Sequence, residues 1–378
     1  MNNKFNNNMR EQIYSLAQEI KNQYDLLEPL ARKVLTTPEI YSIQKIVLTG
    51  SGDSFAASMF LKKTFEKLTK LPVEVVSALD LARHYDESQL GFAPLNPLVI
   101  AVSNSGSGAR VGEAVERVLK HGGYVLAVTG NKDSVLAKNS SAVLELNIPQ
   151  LPPAPGVTTY LVSILSLLLM AIRIGEVRGK ITMDEANELR GEILTQADTF
   201  SKSLEKIDDK ALSIANKVKD NEAWDFVASG SDYASAWYGM AKVMEATGQY
   251  AMHINSEEFN HLNFFMRKTH SLNTVFIISK NDKGYSRTVE SLNYAIKLER
   301  PTIVITDDKN ISEKYPLSIL IDSSNFDEIP YLFQSIPISL IVGYVMTMIG
   351  EKPGRGTEGL WDFAKNGNGV KNSEIIIL

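Results

Sequence analysis

The chain of 378 residues contains no cysteine. That excludes disulfides, thiolate metal sites and a cysteine nucleophile, and it fits a cytoplasmic location. There is no basic excess either: 39 Lys and Arg stand against 44 Asp and Glu, for a formal net charge of -5. With nothing to neutralise a phosphate backbone, nucleic acid is not an expected partner. Met1 to Asn8 is polar and asparagine-rich, without an apolar signal region. The one long uncharged run, Ile329 to Gly350, holds Pro330, Gln334, Pro337 and Ser339. It reads as a helix covering a sheet, not as a membrane span. A Walker-type lysine loop is absent, which argues against a nucleotide-binding protein. So is a His-x-x-x-His pair, and no metal is expected.

What remains is a globular composition, 44% hydrophobic and 22% charged, at a length suited to two domains. The chain is organised around Ala101-Val-Ser-Asn-Ser-Gly-Ser-Gly-Ala109. The apolar run Leu98 to Val102 predicts a buried strand. Val111, Ala114, Val115 and Val118 recur at helical spacing just after the turn. A Ser/Gly turn between strand and helix aims backbone N–H groups and hydroxyls at one point, where the helix dipole adds positive charge. The turn is therefore a phosphate cradle, or its serines only cap the helix.

Further strands are predicted at 45–50, 73–76, 124–129 and 142–146, with a long apolar helix from Thr158 to about Ile174. This alternation implies a parallel sheet with helices on both faces. The pattern then returns. Phe226-Val-Ala-Ser-Gly-Ser-Asp232 echoes Val47-Leu-Thr-Gly-Ser-Gly-Asp53. Thr274–Ser279 echoes Leu98–Ser103, and Pro301–Thr306 echoes Gly123–Thr129, all at offsets of 176 to 179. Three matches in order at a nearly constant offset argue for a duplicated α/β domain. The copies differ: Ser103-Asn-Ser-Gly106 becomes Ser279-Lys-Asn-Asp282, which places a carboxylate where an anion would sit. Only the first copy is expected to hold one.

Around that turn, Ser51, Asp53 and Ser54 follow the first strand, and Thr158 and Thr159 open a helix. All could share one ligand beyond the carboxyl ends of the strands. In the second half, Lys242 and Glu245 stand three apart on a predicted helix with apolar neighbours. A partly desolvated Glu245 would suit a general base; an exposed Lys–Glu pair is the other reading. Glu258 and His261 form a second pair at the same spacing, compatible with proton transfer. The tail from Glu351 carries Gly354, Gly356, Gly367, Gly369 and Lys365 and reads as a lid.

These motifs together resemble proteins with tandem sugar-isomerase (SIS) domains: Ser-Gly-Asp-Ser54, Ser-Asn-Ser-Gly106, Lys-Val-Met-Glu245, Glu-Phe-Asn-His261 and Phe-Ala-Lys365. The resemblance implies two flavodoxin-like α/β domains, each a parallel sheet with helices on both faces. It implies an N-terminal helix (1–30), a phosphate-binding first domain (31–180), a helical connector (181–221), a second domain (222–350) and the tail or lid (351–378). It implies a sugar phosphate as substrate, gripped by Ser54, Ser103, Asn104 and Ser105. Glu245 would move a proton between C1 and C2, His261 from a neighbouring subunit would open the ring, and Lys365 would contact the open-chain sugar. The intermediate would be an enediol or enolamine, reached without metal or cofactor in a homodimer with a shared site.

The pattern departs from the family at two places. Gly108 stands where a threonine is usual, so Arg110 is expected to supply a phosphate contact. His261-Leu-Asn263 replaces the usual His-Gly-Pro. Without a cysteine or a preceding glutaminase domain, synthase activity from glutamine is not expected. Isomerisation, deamination and cleavage of a sugar–amine adduct remain, beside a non-catalytic sugar-phosphate regulator.

Overall fold

The computed structural model describes residues 5–352, 355 and 359–378, without the side chains of 366–368. Gly354 and Gly356 of the predicted lid lie outside the described residues. The first sheet contains β1 (Ile46–Gly50), β2 (Val73–Ser77), β3 (Leu98–Val102), β4 (Tyr124–Thr129) and β5 (Ala142–Glu145), all parallel, in the order β2-β1-β3-β4-β5. The second contains β6 (Ala223–Ala228), β7 (Tyr250–Asn255), β8 (Leu272–Ile278), β9 (Thr302–Thr306) and β10 (Ser318–Leu320), also parallel, in the order β7-β6-β8-β9-β10. The same flavodoxin-like order occurs twice, as the internal repeat predicts. By compactness the chain divides into two units. One comprises Gln18–Gln150, Thr158–Leu194 and Arg355–Leu378; the other comprises Met1–Ala17, Leu151–Val157 and Thr195–Gly354.

In the first-sheet unit, β1 and β3 are buried along their whole length, which is why they are continuous apolar runs. Three helices position the site: α1 (Asp53–Thr69), α2 (Ala109–Lys120) and α3 (Thr158–Val177). The stripe Val111, Ala114, Val115 and Val118 of α2 packs on Val47, Val99, Ala101, Val125 and Ala127 of the sheet. Each such branched side chain removed from water contributes about 1.5–3 kcal/mol. Gly175 of α3 is required by close packing, because a Cβ there would lie 2.6 Å from the carbonyl oxygen of Leu68 in α1. By length and composition α3 could cross a membrane, yet 83% of its most apolar window is buried.

In the second-sheet unit, α4 (Asp232–Thr247), α5 (Ser256–His261), α6 (Tyr285–Lys297) and α7 (Ile336–Met348) accompany the strands. Within the uncharged run 329–350, Ile336–Met348 forms the buried α7. Helices also form at Asn8–Ala31 and Met183–Val218, in the stretches where the resemblance implies an N-terminal helix and a helical connector. Two strands, β7 and β10, are not legible in the sequence. Both are edge strands: β10 is three residues long, and β7 is only partly buried. β7 lacks the unbroken apolar run that marks β1 or β8, and β10 is too short to show a period.

Candidate functional site

A cavity of about 540 Å³ opens in the first-sheet unit beyond the carboxyl ends of β1 and β3. These are the strands at which the sheet order reverses, the usual ligand crevice of an open parallel sheet. Ser51, Asp53 and Ser54 reach it from the β1–α1 turn. Ser103, Asn104, Ser105, Ser107, Gly108 and Arg110 reach it from the β3–α2 turn, Thr159 and Ser163 from α3, and Gly369, Val370, Lys371 and Ser373 from the tail. Two turns that the sequence presents separately are thus brought to one cavity. Of the two threonines opening α3, Thr159 lines it; Thr158 is buried and does not.

The serines do not cap these helices. The N-cap positions of α1 and α2 are Gly52 and Gly108, and neither provides a side-chain bond. Elsewhere in the same unit Thr36, Ser77 and Ser134 do cap their short helices. Two helix N-termini without side-chain caps therefore meet the cavity with their partial positive charge. The β3–α2 turn is closed by Gly106 N–H, which donates to Ser103 O at 3.0 Å and Ser103 Oγ at 3.2 Å. Gly106 sits at φ 62°, where a Cβ would lie 2.1 Å from Ser134 Oγ. Ser105 and Ser107 share a hydrogen bond of 2.9 Å between their hydroxyls.

The matching position of the second-sheet unit is filled by the chain itself. Asp232, the counterpart of Asp53, accepts Ser279 N–H at 2.8 Å, Ser279 O–H at 2.7 Å and Gln334 N–H at 2.7 Å. Burial pushes its carboxyl up to about 6, against those hydrogen bonds. Asp282 accepts Ser229 O–H and Gly284 N–H, each at 2.8 Å, and Asp307 accepts Lys280 N–H at 2.7 Å. Donors that an anion would use are already taken by carboxylates, as expected from the sequence difference at Asp282.

Glu245 and His261 belong to the second-sheet unit. On α4, Lys242 donates to Glu245 Oε2 at 2.6 Å. Burial falls on the lysine: its side chain is 0% exposed, whereas that of Glu245 is 45% exposed. The expected desolvation of Glu245 is not observed, because its position near the end of α4 turns it outward while Lys242 packs over the Tyr238 ring at 5.1 Å. His261 ends α5 with its side chain 64% exposed, and its Nε2 lies 3.1 Å from Glu257, not from Glu258. The helical i, i+4 neighbour wins over i, i+3. Glu258 is exposed. Arg287 bonds to Glu257 and, with His261, holds its carboxyl below the usual range.

Residues 39–173, containing the cavity's two turns, match the model of the SIS domain. This chain carries a SIS domain. It is 23% identical over 313 residues to glutamine–fructose-6-phosphate aminotransferase (isomerizing) of Clostridium tetani, an alignment covering 82% of this chain and 50% of that protein. The chain thus spans about half the length of the curated relatives it matches. The C-terminal domain of glucosamine-fructose-6-phosphate aminotransferase from Francisella tularensis superposes with a TM-score of 0.79 at 18% identity, covering 93% of this chain and 99% of that one. Glucosamine-6-phosphate deaminase from Thermotoga maritima superposes with a TM-score of 0.63 at 15% identity, covering 89% and 97%. At these identities the superpositions establish the fold.

At the mouth of the SIS-domain cavity the two cations differ from expectation. Arg110 is committed to the Glu113 carboxylate and to Ser373 and Glu374 of the tail. The lysine that lines the cavity is Lys371, on the short helix Asn368–Lys371. Lys365 pairs with Asp362 and is not among the lining residues. Sequence reasoning missed Lys371 because the tail has no period to follow. No local signal in the sequence marks that lysine.

Proposed function

We propose that this chain is a phosphosugar aldose–ketose isomerase or deaminase acting on a sugar or amino sugar 6-phosphate such as fructose 6-phosphate or glucosamine 6-phosphate. The observation that carries the reading is the contrast between the two strand-end sites. Both have two helix N-termini without side-chain caps, but in one they meet a hydroxyl-lined cavity, whereas in its duplicate carboxylates take up the donors of the turns. An anion of phosphate size suits the first.

In this reading Ser54, Ser103, Asn104 and Ser105 grip the phosphate through hydroxyls and backbone N–H groups, and the dipoles of α1 and α2 supply charge. Lys365 keeps the contact to the open-chain sugar that the family likeness gives it. Glu245 removes the proton at C2 and returns one at C1, with the Lys242 ammonium orienting its carboxylate. His261, exposed at the end of α5, assists ring opening and is suited to serve a neighbouring subunit of a homodimer. The names of the relatives support a sugar-phosphate substrate with or without nitrogen.

A thermal-shift panel of sugar 6-phosphates and amino sugar 6-phosphates, followed by ammonia and ketose assays on the hits, tests this. Ammonia release from glucosamine 6-phosphate identifies a deaminase, and ketose formation alone an isomerase. Stabilisation by no phosphosugar refutes the reading, and binding without any turnover replaces it with a sugar-phosphate regulator.

A further inference from the structure

The C-terminal segment is tied to α2 by charge. Glu113, with no exposed side chain, accepts Arg83 Nε–H at 2.7 Å and the backbone N–H of Ile376 at 2.9 Å, and pairs with Arg110. Arg110 in turn donates to Ser373 Oγ at 3.1 Å and to the carbonyl of Glu374. His121 Nε2 lies 3.3 Å from the carbonyl oxygen of Leu378. The apolar side chains of this segment do not suffice to dock it: Ile375, Ile376 and Leu378 keep 46%, 39% and 45% of their surface exposed. Ordering each residue of a tail costs backbone entropy, so the polar tie must supply what partial burial does not. Lys371 lines the cavity two residues before Ser373.

We propose that Arg110 and Glu113, braced by Arg83, are positioning residues: they dock the tail so that Lys371 stands at the cavity as the cation for the ligand's phosphate. This rests on the cavity being the phosphate site. It departs from a direct phosphate role for Arg110, whose guanidinium fork is taken up by a carboxylate and two tail groups. Lys371, a point charge on a flexible stem, depends on a fixed backbone for its effective concentration at the anion.

The test uses the full chain and three substitutions, Arg110→Met, Glu113→Gln and Lys371→Met. Affinity for inorganic phosphate and for glucosamine 6-phosphate is measured by calorimetry, and docking of the tail by hydrogen exchange at the Ile376 amide. Arg110→Met is the primary variant because that side chain is 20% exposed and its loss leaves the Arg83–Glu113 pair in place. The expected result is exchange at Ile376 at least tenfold faster in Arg110→Met and Glu113→Gln. Both should weaken ligand binding about as much as Lys371→Met, roughly tenfold, with no further loss when Arg110→Met and Lys371→Met are combined. Weakened binding with unchanged Ile376 protection makes Arg110 a direct ligand and overturns the proposal. Lost protection with unchanged binding also overturns it. Wild-type protein that binds neither phosphate nor phosphosugar refutes the phosphate-site reading itself, whatever the tail does.

Discussion

Substituting Gly106 by alanine perturbs the cradle at its tightest point. A Cβ added there lies 2.1 Å from Ser134 Oγ, 2.4 Å from Ser134 Cβ and 2.9 Å from Thr129 Oγ1, on a backbone at φ 62°. The left-handed conformation costs a non-glycine residue about 1–2 kcal/mol. Relieving the clash costs about 1–3 kcal/mol more. Ser134 also caps the helix Val135–Lys138 through a bond from Ala137 N–H at 3.2 Å, worth about 1 kcal/mol if the hydroxyl is displaced. The total is about 3–6 kcal/mol, or a fall in Tm on the order of 10 °C. The turn's donors move with the backbone, and losing one or two charge-assisted bonds lowers phosphate affinity by about 10- to 100-fold. Urea unfolding and calorimetry with inorganic phosphate measure the two effects. Adding Ser134→Gly should recover about 1–3 kcal/mol by removing the clashing side chain, and leave the backbone cost. Stability of Gly106→Ala within about 0.5 kcal/mol of wild type, or no recovery in the double variant, refutes the account.

Three further expectations concern the second-sheet unit. Asp232 has its carboxyl raised to about 6 mainly by burial, so its contribution to stability is fully present below about pH 4 and is lost as pH rises through about 6. Wild-type stability relative to Asp232→Asn should therefore fall by up to about 3 kcal/mol across that window in urea titrations; a flat difference contradicts it. Glu245→Gln keeps an oxygen for the Lys242 ammonium but cannot accept a proton, so turnover on any phosphosugar found should drop by about 10²–10⁴ with binding retained. Full turnover would remove Glu245 from the proton transfer. Arg300, buried against Asp225 at 2.8 Å and bonded to the carbonyl of Asn263, braces the turn just after His261. Arg300→Met leaves the Asp225 carboxylate buried and unpaired and should cost about 3–5 kcal/mol, much of it recovered when Asp225→Leu is added, as read by chemical unfolding.

The interior strands were legible because burial on both faces demands unbroken apolar runs, as in Leu98–Val102 and Thr274–Ile278. The strands β7 and β10 were not, because β7 is partly exposed and β10 is only three residues long. The Ser/Gly turn was legible as an ambiguity. Hydroxyls beside a helix start have the same composition whether they cap it or bind a ligand, and only the backbone shows that Gly52 and Gly108 hold the cap positions. The roles of Arg110 and Lys371 were not legible at all. Arg110 meets Ser373 across 263 positions of chain, and no local pattern encodes so distant a partner.

The sequence by itself determined the duplicated parallel architecture, and it made the two copies unequal by replacing Gly106 with Asp282. Both follow from local requirements: apolar period along a strand, and charge within a turn. The tertiary structure decided which groups share the cavity, that the serines leave the helix ends open, and that Arg110 holds the tail while Lys371 lines the cavity. Those outcomes depend on which distant segments pack together, and a charged side chain takes its partner from whatever the fold places beside it.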